Sequence, residues 1–383
     1  MPNVIDYIAW RGDLSFEADP FNEVDNLVFS YCAYVNLDGI APGPGEPGIT
    51  IRELSGKFFH KYNEEELKAD HSFIRHAPSV LKAMGESQRF GGLTARNYVN
   101  WIIEEKSMQF SAVQFLLPEG GCYVAFRGTD NTILGWKEDF LLSGGIVKAQ
   151  KEAVKYLNAA AGETKGKILV GGHSKGGNLA VYAAAFCDPS VRCRVEHVFS
   201  NDGPGFLNET MLTKSYQEIR ERITRIIPES SVIGMLMGHQ TTPEIIKSDS
   251  RGVLQHDGFS WQIMGNGFLK ANSLTDNAVY LGDVIDEWIA GIDRKKRISF
   301  VEDFFSVLEA PGVETVSELQ DGFLKYLPVM KKRLDTMEPA NREIMEKLFW
   351  VFFEHFSEKI QSSIQSKKRI YKKTLRLKKK TES

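Results

Sequence analysis

Apolar residues in the first quarter of the chain recur at helical spacing in two segments. Residues 22–31 carry them at every third or fourth position: Val24, Leu27, Val28 and Tyr31. This spacing predicts a helix there, and residues 73–108 are predicted to form another helical stretch, with residues 97–103 near its end. Between the two lies a Gly- and Pro-rich loop, residues 39–48, whose length is typical of a functional or mobile loop.

Farther along the chain, strand-like runs alternate with helical ones. Residues 110–117 and 122–127 are separated by a Pro-Glu-Gly-Gly turn signal and predict a β-hairpin. An amphipathic helix and three strand-like runs follow it: residues 148–161, then 167–171, 195–201 and 222–227. Helices between successive strands indicate crossover connections, so the predicted fold class is α/β with a mainly parallel sheet flanked by helices.

The most informative segment is the end of the strand that starts at Ile168. Gly172-His173-Ser174-Lys175-Gly176 stands there, directly before a helix pattern rich in small residues. A serine at a strand–turn–helix junction is typical of a nucleophile elbow, because the sharp turn lifts the hydroxyl clear of the backbone. Gly172 and Gly176 flank Ser174 where a side chain would collide with a neighbouring strand or helix. We therefore predict that Ser174 is an activated nucleophile rather than an ordinary turn serine.

Three chemically useful side chains come just after predicted strands. Ser174, Asp202 and Glu229 each follow such a strand end. The carboxyl ends of parallel strands meet at one edge of a sheet, and active sites lie at that edge. The sequence therefore predicts that the catalytic groups gather there.

Two blocks of the sequence resemble one enzyme family. The elbow and the glycine after it are similar to the G-H-S-L-G-G elbow of the fungal-type (class 3) triacylglycerol lipases. Phe126-Arg127-Gly128-Thr129, with a W-x-x-D at residues 136–139, resembles their oxyanion loop. The similarity covers about residues 108–260, and the whole chain resembles a bacterial branch of lipase-like hydrolases. It implies an α/β-hydrolase fold with a serine, a histidine and an acid.

An elbow serine needs a base, which in α/β-hydrolases is a histidine late in the chain. His256 lies in a polar loop beyond the last strand-like run and is the preferred base, and His239 is the alternative. His197 begins a strand away from the catalytic edge, and His355 lies in an aromatic helix pattern, so neither is favoured. His173 is expected to support the elbow and not to act as the base.

The acid that orients the base is less well defined. Fungal-type lipases carry an aspartate after the strand that corresponds to residues 222–227, but this chain has Ser230 near that position. Asp202 resembles the acid position of pancreatic-type lipases and is the preferred acid, although an Asp-Gly turn residue is nearly as good an interpretation. Glu229 is the alternative acid.

The resemblance also implies an oxyanion hole. Its donors are the backbone N–H of Lys175 and a donor from Thr129, its N–H and its hydroxyl. Arg127 and Asp139 are expected to form a structural ion pair that holds this loop. The Lys175 side chain stands where the lipases have leucine, and it either favours acidic or polar substrates or points to solvent.

Composition and domain pattern complete the prediction. The 383 residues carry a net charge of −3, which argues against a nucleic-acid-binding protein. Without a signal-peptide pattern or an apolar stretch long enough to cross a bilayer, a cytoplasmic location is expected. We expect three regions: an N-terminal helical addition (1–69), an α/β-hydrolase core (70–275) and a helical C-terminal region (276–383). The basic tail, residues 367–380, is a solvated end or, secondarily, a peripheral membrane contact.

Together these features predict a serine hydrolase that cleaves carboxylic esters through an acyl-enzyme on Ser174. Its substrate is a lipid or another acyl ester, and no metal or organic cofactor is implied. The same triad acting on a thioester or a peptide is an alternative. A hydrolase-fold protein without turnover, used for binding or as a scaffold, is the alternative from a different class.

Overall fold

The computed structural model describes most of the chain. The described ranges are 1–63, 75–103, 108–129, 145–280, 293–315 and 322–337, with the further positions 67, 133, 135, 137, 141, 142, 282, 318, 319 and 342. The helices are α1 (Val4–Arg11), α2 (Glu23–Cys32), α3 (Ile51–Lys61), α4 (Ala77–Glu86), α5 (Gln88–Gly91), α6 (Lys148–Gly162), α7 (Lys175–Phe186), α8 (Pro189–Arg192), α9 (Asn208–Met211), α10 (Lys214–Ile219), α11 (Arg294–Glu309) and α12 (Phe323–Leu334). The strands are β1 (Ile49–Thr50), β2 (Thr94–Ile103), β3 (Met108–Leu116), β4 (Cys122–Phe126), β5 (Ile168–His173), β6 (Val195–Asn201), β7 (Ile223–Pro228), β8 (Glu244–Ile246), β9 (Ile263–Met264) and β10 (Gly267–Phe268).

Strands β1 to β8 form one sheet in which neighbours in space are also neighbours in sequence. The pairings from β1 to β4 are antiparallel, and those from β4 to β8 are parallel. Helix α6 lies between β4 and β5 along the chain, and α7 lies between β5 and β6. The fold is therefore α/β with a mainly parallel sheet, as predicted, and the predicted hairpin is confirmed as β3 and β4.

Both faces of the sheet are covered by apolar side chains. Along β4, Tyr123 and Ala125 belong to one hydrophobic cluster, whereas Val124 and Phe126 belong to another. This alternation is what a strand with two buried faces requires, because successive side chains point to opposite faces. Helices α1 to α4 contribute to the first cluster, and α6 and α7 contribute to the second. The helices near the start of the chain thus cover one face of the sheet.

Helix α2 is fixed by polar groups at its start. In its capping box the Asn22 side chain accepts from the Asp25 N–H (3.1 Å), and the Asp25 carboxylate accepts from the Asn22 N–H (3.0 Å). The same Asp25 carboxylate is fully buried and accepts from Arg89 Nε (2.8 Å) and from the Tyr7 hydroxyl (2.9 Å). The buried ion pair therefore joins α2 to α5, and the hydrogen bond from Tyr7 joins α2 to α1.

The prediction of a continuous helical stretch over residues 73–108 is wrong. The helices end at Gly91, and the chain continues as strand β2 from Thr94. Within β2 the register shifts at a bulge, where Asn97 has a φ of 56°. The extra residue of a bulge breaks the period of two, so the apolar residues around it fall at spacings that resemble those of a helix.

The chain divides into two compact units. Unit 1 comprises Met1–Phe305 and Glu314–Ser317, and unit 2 comprises Ser306–Val313 and Glu318–Ser383. The boundaries predicted at 69/70 and 275/276 stay predictions. Helices α11 and α12 confirm the helical patterns at 301–308 and 323–334. The third pattern, residues 342–364, lies outside the described residues except for 342, and the basic tail lies outside them altogether. Within the described parts, no helix has the length and apolar character to cross a membrane.

The Asp25–Arg89 pair gives a stability prediction. Arg89→Ala leaves a carboxylate buried without its partner, so we expect a loss of about 3–5 kcal/mol in the free energy of unfolding. Urea denaturation followed by circular dichroism measures it. Lys167→Ala removes one partner of the exposed Lys167–Glu196 pair and serves as the matched control, with little expected change. An equally small effect of Arg89→Ala would contradict a structural role for the buried pair.

Candidate active site

The elbow at Ser174 has the strained backbone that its sequence predicts. Ser174 joins β5 to α7 with φ 58° and ψ −131°, a conformation that side-chain-bearing residues rarely adopt. Its N–H donates to the carbonyl of Asn201 at the end of β6 (2.9 Å). A Cβ on Gly172 would lie 2.5 Å from the carbonyl oxygen of Phe126, and one on Gly176 would collide with the same oxygen. Both glycines are therefore required by the close approach of β4, β5 and α7.

Asp202 and His256 lie in direct hydrogen-bond contact. His256 Nδ1 is 2.6 Å from Asp202 Oδ2, and the Asp202 carboxylate is fully buried. Its other oxygen accepts from the Ser231 hydroxyl and from the Gly234 N–H (3.2 Å). A carboxylate held in this way fixes the orientation and the tautomer of an imidazole. His256 ends a short 3-10 helix (Gly252–His256), and Asp202 follows β6 with a φ of 48°.

His173 ties His256 to the elbow. The two rings are 4.6 Å apart between centroids, and His173 Nε2 lies 2.7 Å from the backbone carbonyl oxygen of His256. Because a carbonyl only accepts, we assign the ring proton to Nε2, and Nδ1 then accepts from the Tyr34 hydroxyl (2.9 Å). Burial lowers the pKa of His173 well below its ordinary value, which agrees with a neutral ring. This contact supports a positioning role.

The Ser174 hydroxyl itself is not joined to the base. Among the described residues, no hydrogen bond connects it with the His256 ring. The exposed fractions of Ser174 and His256 are only 5% and 9%. In substrate-free active sites such contacts are often long and tighten only when substrate binds. The structure thus brings the preferred acid and base into contact, and among the described residues it shows no bond between that base and Ser174.

The loop after β4 packs directly on the elbow. A Cβ on Gly128 would lie 2.5 Å from the His173 carbonyl oxygen and would collide with the Tyr34 hydroxyl. Thr129, the next residue, is buried, and its hydroxyl points to the Gly135 carbonyl oxygen at 3.5 Å. The loop therefore holds Thr129 at the side of the elbow, where the sequence predicted an oxyanion donor.

The Lys175 side chain does not point to solvent. It is 1% exposed, and its Nζ donates to the backbone carbonyl of Gln109 in β3 at 3.3 Å. This corrects the solvent alternative from the sequence. The reason is that β3 extends past the end of β4, so the first side chain of α7 lies beneath a strand and not at the surface.

The alternative acid and base are placed elsewhere. Glu229 is half-buried, and among the described residues its carboxylate makes no hydrogen bond to an imidazole. The His239 ring packs against Gly205, and burial lowers its pKa well below the ordinary value. Ser230 uses its N–H to bind the Gln255 side chain (2.8 Å). The serine that contacts the acid is its neighbour Ser231, which the sequence analysis missed.

Several residues that the sequence singled out lie outside the described residues. Among them are Asp139, Trp136 and His355, so the predicted Arg127–Asp139 ion pair is not described.

A buried amide network beneath the elbow was also missed by the sequence analysis. Asn201 and Asn26 exchange side-chain hydrogen bonds (2.8 and 3.0 Å), and Asn201 also donates to the Gly172 carbonyl (3.1 Å). Asn26 lies on α2, within a segment whose residues are all buried. A polar residue inside such a run was the available signal, because buried amides need partners.

No metal centre accompanies these groups in the described part of the chain, where His, Cys, Asp and Glu side chains form no cluster of three or more that suits an ion.

The sequence profile of the Mbeg1-like family matches residues 84–306. The chain belongs to the Mbeg1-like family. The matched range contains the elbow, Asp202, His256 and the loop of Thr129. No curated protein sequence matches the chain significantly.

Solved lipase structures share a remote likeness with this member of the Mbeg1-like family. The native Rhizomucor miehei lipase propeptide complex is 16% identical, with a TM-score of 0.34, covering 68% of this chain and 94% of its own. M37 lipase is 17% identical (TM-score 0.34; 55% and 68% covered), and the lipase from Rhizopus microsporus var. chinensis is 15% identical (TM-score 0.29; 55% and 81% covered).

The neutral, buried state of His173 predicts how stability depends on pH. Folding depresses its pKa, so below about pH 6.5 the unfolded chain binds the proton more readily than the folded chain. The contribution of neutral His173 to the free energy of unfolding is fully present above that pH. It is lost as the pH falls, at up to about 1.4 kcal/mol per pH unit. His173→Gln should flatten the fall in unfolding free energy between about pH 6.5 and 5, as measured by urea titrations.

His60→Gln, at an exposed position of α3, controls for the loss of an imidazole elsewhere. A His173→Gln variant that keeps the wild-type slope would show that the His173 ring is not a buried neutral group.

Proposed function

We propose that the protein is a serine hydrolase that cleaves carboxylic esters, of lipid or other acyl type, through an acyl-enzyme on Ser174. The observation that carries this proposal is the 2.6 Å hydrogen bond between His256 Nδ1 and a fully buried Asp202 carboxylate beside a strained serine elbow. An elbow serine needs a base that removes its proton, and an imidazole serves as that base only when it is held in place near the serine. Membership of a lipase-like family supports the same reaction class.

In the proposed reaction, His256 Nε2 takes the proton of the Ser174 hydroxyl as its oxygen attacks the ester carbonyl. The oxyanion that forms is held by the N–H of Lys175 and by Thr129. His256 then gives the proton to the leaving alcohol, and an acyl group remains on Ser174. Water, activated by the same imidazole, releases the carboxylic acid. Asp202 stays ionised throughout and stabilises the imidazolium of each half-reaction.

A binding or scaffold protein without turnover is the second candidate. The observation in its favour is that, among the described residues, the Ser174 hydroxyl makes no hydrogen bond to His256. Against it stand the energetic costs of the site: a serine in a strained conformation and a carboxylate buried at its side. Such costs are typical of sites that perform chemistry.

Labelling by a small fluorophosphonate ester separates the two candidates. The wild type should react and form a covalent adduct, because the probe needs an activated serine. Ser174→Ala should lose labelling completely, and His256→Ala should lose nearly all of it. His239→Ala is the matched control for a lost histidine and should still be labelled. A folded wild type that resists the probe would favour the binding protein.

The choice of acid gives a separate prediction. Asp202→Asn removes the charge that orients and stabilises the imidazolium, so kcat should fall by about 10³–10⁴ for a short-chain ester. Glu229→Gln should change kcat less than twofold, because the Glu229 carboxylate is not bonded to His256. Initial-rate kinetics with 4-nitrophenyl butyrate measure both variants. The opposite result, a lost activity in Glu229→Gln and a retained one in Asp202→Asn, would exchange the two assignments.

A further inference from the structure

A buried guanidinium lies next to the loop of Thr129. Arg127 is 7% exposed, and among the described residues its Nε and Nη2 have no hydrogen-bond partner. Its backbone N–H continues the β3–β4 ladder by donating to the Ser111 carbonyl (2.9 Å). Arg127 directly precedes Gly128 and Thr129, and its carbonyl carbon lies 3.0 Å from the position of a Cβ on Gly176.

The neighbouring strands leave further polar atoms unpaired on the same face of the sheet. Ser111 of β3 pairs with Asn100 of β2. On the other side of β3, the Ser111 carbonyl accepts from the N–H of Arg127, the residue that follows β4. Ser111 is 1% exposed, and among the described residues neither its hydroxyl nor the buried Oδ1 of Asn100 has a hydrogen-bond partner. By alternation from Tyr123 and Ala125, the Arg127 side chain lies on the face that α2 covers. Among the described residues, neighbouring positions on β2, on β3 and just after β4 thus carry polar atoms without hydrogen-bond partners on one face of the sheet.

The donor geometry favours an anion over water. Nε–H and one Nη2–H lie along the same edge of a guanidinium and match the two oxygens of a carboxylate or a phosphate. Water would satisfy the hydrogen bonds but would leave a buried positive charge uncompensated, which is costly. Asp38 does not supply the charge: among the described residues it accepts from Asn100 Nδ2 (2.9 Å) and forms no ion pair with Arg127.

We propose that Arg127, assisted by the Ser111 hydroxyl, binds a carboxylate or phosphate group carried by the ester substrate. This inference rests on the proposed esterase function and defines its substrate class as anionic esters. The ester carbonyl would lie between Ser174 and Thr129, and the anionic group would lie on the α2 side of that loop. Arg127 would then determine specificity and would take no part in proton transfer.

Two matched pairs of esters test the proposal and distinguish the sources of the anion. The first pair compares 4-nitrophenyl butyrate with 4-nitrophenyl hydrogen glutarate, which adds a carboxylate on the acyl side. The second compares 1-butyrylglycerol with its 3-phosphate, which adds a phosphate on the alcohol side. The measured quantity is the ratio of kcat/KM for the charged ester to that for the neutral one. A ratio within one enzyme cancels general damage to the site.

In at least one pair, Arg127→Met should lower this ratio about tenfold or more, as expected when a charge-assisted double hydrogen bond is lost. Arg127→Lys should give an intermediate ratio, because lysine keeps the charge without the fork. Arg96→Met is the matched control: its guanidinium is already bound to Gln114 and Glu163, so the ratio should stay at the wild-type value. Equal ratios in wild type and Arg127→Met for both pairs would overturn the proposal.

A binding measurement separates failure of this inference from failure of the proposed function. Monoethyl glutarate and glycerol 3-phosphate are titrated calorimetrically into Ser174→Ala, which retains Arg127 and lacks turnover. Binding of either ligand that is lost in Ser174→Ala/Arg127→Met supports the anion site even if the wild type hydrolyses no ester. If neutral esters are hydrolysed and neither anion binds, the anion site is rejected while the proposed function stands.

Discussion

The close approach of three backbone segments at Ser174 is the constraint on which the site depends. Strand β4, strand β5 and helix α7 come so near one another that Gly128, Gly172 and Gly176 have no space for a Cβ. The strain at Ser174 is sustained by this packing and by the bond of its N–H to the end of β6. The same contact sets the loop of Thr129 beside the elbow, so this packing positions both the proposed nucleophile and the proposed oxyanion donors.

Around this backbone, buried polar groups orient the side chains of His256 and His173. Asp202 holds one nitrogen of His256, and His173 holds its backbone carbonyl while receiving a hydrogen bond from Tyr34. Tyr34 follows α2, and Asn26 of that helix binds the amide beneath the elbow. The N-terminal segment is therefore part of the candidate site, because its polar side chains complete hydrogen bonds that the strand ends leave open.

The sequence predicted those features that depend on local chemistry. The glycines and serine of the elbow, the turn of the β3–β4 hairpin and the strand ends are each recognisable from short segments. Asp202, predicted as the acid, stays a prediction, and its contact with His256 supports it. Strand β2 was wrongly predicted as a helix, because the bulge at Asn97 interrupts the period of two that apolar residues follow in a strand. The contacts of Tyr34 and Ser231 join residues more than 25 positions from their partners, and nothing in the local sequence encodes such distances.

The central claim is that Ser174 carries the acyl group during ester cleavage. Rapid quenching of the wild type in the presence of excess 4-nitrophenyl butyrate, followed by mass spectrometry of the intact chain and of its peptides, tests it directly. The account predicts one butyryl group per chain, located on the peptide that contains Ser174. Nitrophenol released with no acyl group on that peptide, or an acyl group that persists in Ser174→Ala, would contradict it.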